Sequence, residues 1–370
     1  MHGVILYVVA KYHFIILINL TVVSSSLKIK KTINYHERLW KKSMKVSMRD
    51  VANHAGVSVA TVSHVINKTR FVSPETTARV HESIKQLGYS PDAIGRIFKT
   101  GKKKLVGFIV PDIANPVWAL IIEVVEDVLA EYGFKLIIIN TKEDSSRELE
   151  NIHLLSSGIV DGVIVASTLV DFREIQAVIP SDFPIVLIDR TLENANCDSV
   201  MLQDFSAIYD GVCRMIEQGN KKIGFITGLM RLSTSRERLS AYQKAMADYG
   251  LTVEPSYIQY GNSMAKSAVP LVRNLLDQGC SAIVVSNNVM TGDILQYLTN
   301  RGLKNGYDVM ILGQGIEGQS DYNLHQMDLM IQPSIELGQL AGKQILERLE
   351  HPTHPIKNIV LTSTLSRRIL

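Results

Sequence analysis

The chain has 370 residues, 46% of them hydrophobic, and a formal net charge of +3. Its three cysteines, Cys197, Cys213 and Cys280, are scattered and odd in number, which excludes metal-ligand spacing and fits free thiols in a reducing cytoplasm. No Gly-rich phosphate loop before a helix, nucleophile elbow or paired-His motif occurs. The enzyme classes those motifs serve are therefore excluded, and no cofactor, metal or catalytic residue is expected.

The small net charge hides an asymmetry. From Met1 to Lys104 there are 18 Lys and Arg against 5 Asp and Glu, a net of +13, while the remainder carries −10. One end is built to meet a polyanion and the rest is not.

In chain order, Val4–Val23 comes first. It is apolar apart from Lys11, His13, Asn19 and a few small polar residues, and a bilayer span needs about 20 such residues. Met1-His2-Gly3 lacks the charged start of a signal peptide, and no small-residue cleavage site follows. Lys28, Lys30 and Lys31 come after the run, so an anchored form keeps the rest of the chain in the cytoplasm. The expectation is that residues 1–43 are an extension, disordered or upstream of a true start at Met44 or Met48, and that the protein is cytoplasmic. A membrane anchor in residues 4–23 is the alternative.

The spacing of Val51, Ala52 and Ala55 predicts a helix with one buried face over Met48–Ala55. Gly56 comes next, where the turn needs φ > 0. Ser58 suits an N-cap for the next helix, which runs Val59-Ala60-Thr61-Val62-Ser63-His64-Val65-Ile66-Asn67. Val62, Val65 and Ile66 lie on its inner face. Val59, Ala60, Thr61, Ser63, His64 and Asn67 turn outward or partly so. This reads as a helix-turn-helix whose second helix enters a DNA major groove, with a small surface helical hairpin as the alternative. A third helix fits Pro74–Leu87, with Ser73 as N-cap, Pro74 at its first position and Gly88 as terminator.

Residues 48–104 resemble the DNA-binding headpiece of the LacI/GalR family of bacterial transcription regulators. The string Thr61-Val62-Ser63-His64-Val65-Ile66-Asn67-Lys68-Thr69-Arg70-Phe71-Val72 is similar to that of the purine and ribose repressors within it. The resemblance implies double-stranded DNA as partner. Ser58, Val59, Ala60, Thr61, Ser63, His64 and Asn67 are then the expected contacts. Ser90 to Gly101 carries a Ser-Pro break and a short helical pattern, and resembles the family's hinge helix. That helix folds against its twin on the operator and pushes a leucine from each subunit into a minor-groove step. Phe98 stands at that position here. An aromatic wedge can also kink DNA, although the departure puts the preferred central step in doubt. Packing of Phe98 against the following domain is the alternative.

After Lys104, short apolar strands alternate with amphipathic helices, which predicts parallel sheets with helices on both faces. Candidate strands are Leu105–Val110, Phe134–Asn140, Gly162–Ala166, Pro184–Ile188, Lys222–Thr227, Ala282–Val285 and Val309–Leu312. Candidate helices include Pro116–Tyr132, Ser145–Ser157, Phe205–Gln218, Ser235–Tyr249 and Met290–Arg301. A further helix ends near Glu350, and a last strand fits Ile359–Leu365. The region resembles the family's effector domain, which shares the two-lobed fold of periplasmic sugar-binding proteins. The fold class expected is thus an all-α helix-turn-helix headpiece plus an α/β two-lobed periplasmic-binding-protein-like domain. The divisions are 1–43 extension, 44–89 headpiece, 90–103 hinge and linker, and 104–370 effector and dimerisation domain. Lobe 1 is placed at about 104–190 and 316–332, and lobe 2 at about 191–315 and 333–370. Crossings between lobes then fall near Arg190, Ile316 and Pro333.

Ligands in open α/β sheets sit at the carboxyl ends of strands, so four strand-end loops supply the candidates. Trp118 can stack on a sugar's C–H face while Asp112 or Asn115 bonds its hydroxyls; burial of Trp118 in its own helix is the alternative. Asp189 can accept from two hydroxyls or pair structurally with Arg190. Arg236 matches the arginine that family members direct into the cleft, with Arg231 and Arg238 taken as surface charges. Asn288 stands where many sugar-responsive relatives have Asp, and Gln314 where an aromatic is common. Both changes leave the sugar unnamed. The expected function is a repressor of a carbohydrate-related operon, controlled by a sugar or sugar phosphate. A purine effector is the alternative. The partners are a pseudo-palindromic operator, the small effector, and a second copy in a homodimer, with a tetramer as the larger option. A sugar-binding receptor of the same fold and a doubly wound enzyme are the competing classes. The helix-turn-helix argues against the receptor, and no motif supplies the enzyme's chemistry.

Overall fold

Ser47 starts the first helix. Its hydroxyl accepts from the Asp50 backbone N–H at 3.3 Å while the Asp50 carboxylate accepts from the Ser47 N–H at 2.8 Å, a capping box. The computed structural model describes residues 46–67, 69–89, 103–306, 308–318 and 327–367, which form one helical unit and one α/β unit. The apolar run Val4–Val23, the hinge segment 90–102 and Phe98 lie outside the described residues. Among the described residues no helix is long and apolar enough to cross a membrane.

The helical unit comprises α1 (Met48–Ala55), α2 (Val59–Asn67) and α3 (Pro74–Leu87). Gly56 turns the chain at φ +66° with open space where a Cβ would stand, so it serves backbone freedom and not packing. Ser58 then accepts from the Thr61 N–H at 3.0 Å. Val51, Ala52, Ala55, Val62, Val65, Val80 and Tyr89 form the core, with Ile66 half-buried against it.

The α/β unit begins with β1 (Leu105–Val110), α4 (Pro116–Glu131), β2 (Lys135–Asn140), α5 (Ser145–Ser156), β3 (Gly162–Val165), α6 (Phe172–Gln176), β4 (Ile185–Asp189) and β5 (Asp198–Gln203). It continues with α7 (Phe205–Glu217), β6 (Ile223–Thr227), α8 (Ser233–Asp248), β7 (Ile258–Tyr260), α9 (Val269–Asp277), β8 (Ala282–Val285), α10 (Asn288–Asn300), β9 (Met310–Gly315) and β10 (Asp328–Ile331). It ends with α11 (Ser334–Glu350), β11 (Asn358–Thr362) and β12 (Thr364–Ser366). Two sheets result, ordered β11-β5-β4-β3-β1-β2 and β12-β10-β9-β8-β6-β7. Every pairing is parallel except β10 with β12.

Alternation along β1 sends Val106, Phe108 and Val110 into the core beneath α4 and α11, and Ile109 into the core beneath α5. Gly338 and Gly342, one helical turn apart on α11, bring that helix against Val124 and Val128 of α4. A Cβ at either position would lie about 3 Å from a valine side chain.

The sheets correct the expected lobe boundaries. Arg190 lies between β4 and β5, which share the first sheet, and Ile316 between β9 and β10, which share the second. Neither is a crossing. The chain leaves the first lobe after Gln203, returns at Gln332–Ser334, and leaves again at Ser363. Among the described residues the first lobe thus holds 105–203 and 334–362, and the second 205–306, 308–318, 327–331 and 364–366. β5 escaped the sequence pattern because Asp198, Ser199 and Gln203 leave it only three apolar residues. The expected last strand is two strands, because the backbone changes sheet at Ser363.

Candidate DNA-reading face and effector cleft

On α2, burial of Val62 and Val65 dictates which side chains face away from the unit. Ser58, Val59 and Ala60 are exposed, and Thr61, Ser63 and His64 are half-exposed. The side chain of Asn67 lies outside the described residues. The Ser58 and Thr61 hydroxyls are 2.9 Å apart, and His64 Nδ1 lies 2.8 Å from Thr69 Oγ1. Phe71, in the loop to α3, is 92% exposed. The face offers apolar groups at Val59 and Ala60, hydroxyls at the helix start, and one imidazole near its end. These groups suit thymine methyls, phosphates and a base edge respectively.

In the α/β unit, Asp112, Asn115, Trp118 and Asp189 of the first lobe meet Asn288 and Gln314 of the second around one cavity of about 50 Å³. Glu143, Arg190, Ser235, Arg238 and Gln332 are also among its walls. A cavity that binds a small molecule spans roughly 300–1,000 Å³, so a ligand of that size requires the lobes to part.

Direct contacts hold the mouth shut. Asn115 caps α4, its Oδ1 accepting from the Val117 N–H at 3.0 Å, and the same oxygen accepts from Asn288 Nδ2 at 2.7 Å. Thr191 donates its N–H to Ser233 Oγ at 3.0 Å. Arg231 donates to the Thr168 carbonyl at 3.1 Å and to the Glu143 carbonyl. Each pair joins the two lobes. Arg231 is exposed as expected, yet its guanidinium is a clasp.

Asp112 takes the Ala114 N–H at 3.0 Å in an Asx turn, which leaves its second oxygen uncommitted to that turn. Trp118 is 5% exposed and packs edge-on to Phe108, with ring centroids 6.5 Å apart. It is both a core residue of the first lobe and part of the cavity wall. Asp189 sits in the left-handed region at φ +69°, with Oδ2 3.5 Å from Arg190 Nε. Burial pushes its carboxyl up to about 6, against the opposing pull of Arg190 and Arg238. Arg190 itself forks onto Glu143 at 2.9 and 2.6 Å and reaches the Ser167 carbonyl at 3.1 Å.

Arg236 corrects the sequence reading. It is exposed, donates to the carbonyls of Met230 and Arg231, and does not line the cavity. Arg238 takes the place foreseen for it. It is 6% exposed, lines the cavity, donates to Asp204 at 2.7 and 2.5 Å, and reaches the Ser286 carbonyl. The cause is helical register. On α8, Thr234, Ser235, Arg238, Leu239 and Tyr242 share the buried face, and Arg236, two residues from Arg238 and so on the opposite side of the helix, points away. The i, i+3, i+4 spacing of Ser235, Arg238 and Leu239 carried that signal.

Gln332 was also missed. It sits at the second crossing, 4% exposed, and accepts from Gln314 Nε2. Glu143 and Arg190 occupy strand-end loops as the candidates do, but their pairing across 47 residues has no sequence signature. Among the described residues no cluster of three or more His, Cys, Asp or Glu could hold a metal.

Comparison with known proteins agrees with both units. Residues 103–363 match the model for periplasmic binding proteins and sugar binding domain of LacI family, and residues 47–92 match that for bacterial regulatory proteins, lacI family. The HTH-type transcriptional repressor PurR of Haemophilus influenzae (strain PittEE) is 34% identical over 310 residues, which cover 82% of this chain and 91% of the relative. The transcriptional regulator CelR–cellobiose complex superposes with a TM-score of 0.64 at 25% identity, covering 87% of this chain and 99% of that one. The Lac repressor dimer bound to operator and the anti-inducer ONPF gives a TM-score of 0.72 at 21% identity, over 87% and 98% of the two chains. The chain belongs to the LacI family of bacterial regulatory proteins, DNA-binding transcription regulators with a helix-turn-helix headpiece and a periplasmic-binding-protein-like domain.

Proposed function

We propose that this chain represses a carbohydrate-related operon, and that a sugar or sugar phosphate in the interlobe cleft sets its affinity for the operator. Two copies bind a pseudo-palindromic site, one headpiece per half-site about one helical turn apart. Ser58, Val59, Ala60, Thr61, Ser63, His64 and Asn67 meet the major groove, and Phe98 enters the minor groove at the centre. Asp112, Asn115, Trp118, Asp189, Asn288 and Gln314 hold the effector, with Arg238 in the role first given to Arg236.

One observation carries this reading. Six of the expected residues, from both lobes, converge on one cavity, and the covalent links between the lobes around it are short crossings. A ligand gripping both walls therefore changes the angle between lobes. Hydroxyl-bearing ligands suit the lining of amides, carboxylates and an aromatic edge.

A purine effector is the second reading. The 34% identity to proteins named PurR favours it, as do the four amides Asn115, Asn288, Gln314 and Gln332, which can match a nucleobase edge.

The test is a gel shift on the chain's own upstream region with sugars, sugar phosphates and purines, paired with thermal shift of the full chain against the same panel. The proposal expects one carbohydrate to raise the melting midpoint and to change the shift. A response confined to purines selects the second reading. Equal affinity for random and native fragments, with no response to any compound, overturns both.

A further inference from the structure

His64 is the one imidazole on the outward face of α2, and a second side chain governs how it can act. Its Nδ1 lies 2.8 Å from the hydroxyl of Thr69, two residues beyond the end of the helix. Among the described residues this is the hydrogen bond recorded for either side chain. The bond consumes one ring nitrogen and leaves Nε2 as the atom available outside the unit.

The two nitrogens of a neutral imidazole are not independent. When one carries the proton the other carries the lone pair, so a partner on Nδ1 decides what Nε2 can do. A threonine hydroxyl can donate or accept. Exposed edges of duplex DNA are less even-handed, because phosphates, guanine O6 and N7, adenine N7 and thymine O4 all accept, while donors are confined to adenine and cytosine amino groups. The arrangement that keeps the Thr69 bond and meets an acceptor has the hydroxyl donating to Nδ1 and the proton on Nε2.

The geometry points to Thr69 as a positioning residue for sequence recognition: by donating to Nδ1 its hydroxyl favours the Nε2–H form of His64 and fixes the ring's rotation, so that the helix presents a single aimed donor to a base acceptor. Thr69 acts through His64 and does not itself supply the base contact. This rests on the reading of His64 as a base-contacting side chain. The bond lowers the ordering cost of the contact, because the ring's orientation is set before DNA arrives.

The experiment uses full-length protein labelled with [15N]histidine. Long-range proton–nitrogen spectra report which nitrogen of each ring is protonated, and H64Q identifies the His64 signals. Selection from a randomised operator reports base preference. The wild type and T69S are expected to show a protonated Nε2 and a bare Nδ1 for His64, with a sharp preference at one operator position. In T69V the two nitrogens should move toward averaged shifts and that preference should fall by about tenfold. Affinity for random DNA and the melting midpoint should be unchanged, since Thr69 is exposed. Unchanged His64 shifts and unchanged preference in T69V overturn the proposal. If T69V releases the ring but H64A alters no base preference, the contact on which the proposal rests is absent and the recognition role falls, while the hydroxyl–imidazole bond stands.

Discussion

Arg238 places two guanidinium nitrogens on one carboxylate oxygen of Asp204, at 2.7 and 2.5 Å, with the acid fully buried. The other oxygen of Asp204 accepts from the Ser363 hydroxyl. Asp204 follows the first crossing between lobes and Ser363 is the third. The arginine that lines the cleft is therefore anchored on the hinge itself.

Arg238→Leu leaves the Asp204 charge buried with one hydroxyl for company. Removing one partner of a buried pair costs about 3–5 kcal/mol. Urea denaturation of the full chain should show that loss, and ligand-induced thermal shifts should vanish. Arg236→Ala should change stability by no more than about 0.5 kcal/mol and keep the response to ligand. A lost response in Arg236→Ala would return that residue to the site.

The Asn115–Asn288 bond spans the cleft mouth at 2.7 Å. Asn288→Asp replaces the donor with a carboxylate facing the Asn115 oxygen, which is also held by the Val117 N–H. A net hydrogen bond of about 0.5–1.5 kcal/mol is lost from the closed form. Small-angle scattering should show a larger radius of gyration for the variant. An identical profile would mean that the other clasps, at Ser233 and Arg231, suffice.

Burial raises Asp189 to about 6 from the ordinary carboxylate value of 3.8. The folded protein thus holds this proton more tightly than the unfolded chain does. Its burial cost is felt in full above pH 6 and is relieved as pH falls from about 6 toward 3.8. Asn tolerates the left-handed backbone at this position. The stability difference between wild type and Asp189→Asn should therefore move in the wild type's favour as pH drops through that window. Glu148, also raised by burial, is common to both proteins and cancels. A difference independent of pH would show that Asp189 stays ionised throughout.

In the headpiece, Ser47→Ala removes one half of the capping box on α1. The expected cost is about 1 kcal/mol, read as faster amide exchange in α1 with the α/β unit unaffected. The same variant removes the hydroxyl but keeps the backbone N–H, the two donors that hold the Asp50 carboxyl below the usual range.

Local signals were enough for the headpiece. Ser73, Pro74 and Gly88 bound α3 where expected, and Val51, Ala52 and Ala55 fell on one buried face, because capping and helical periodicity act within a few residues. β1 and β8 also match to the residue, since their apolar runs are buried on both faces. The strand-end rule found six cleft residues for a similar reason. Parallel strands must open their loops on one side, whatever the rest of the chain does.

What the amino-acid order determined by itself, then, is the headpiece helices, most of the longer strands and helices behind them, the positive headpiece and the loops that could face a ligand, all consequences of short-range periodicity and charge. Tertiary structure alone decided that Arg238 meets Asp204 at the hinge, that β5 belongs before the first crossing, and that Ser363 splits the final strand between sheets. Those outcomes turn on pairings such as Arg238 with Asp204 and β5 with β11, the latter more than 150 residues apart, that no local pattern encodes.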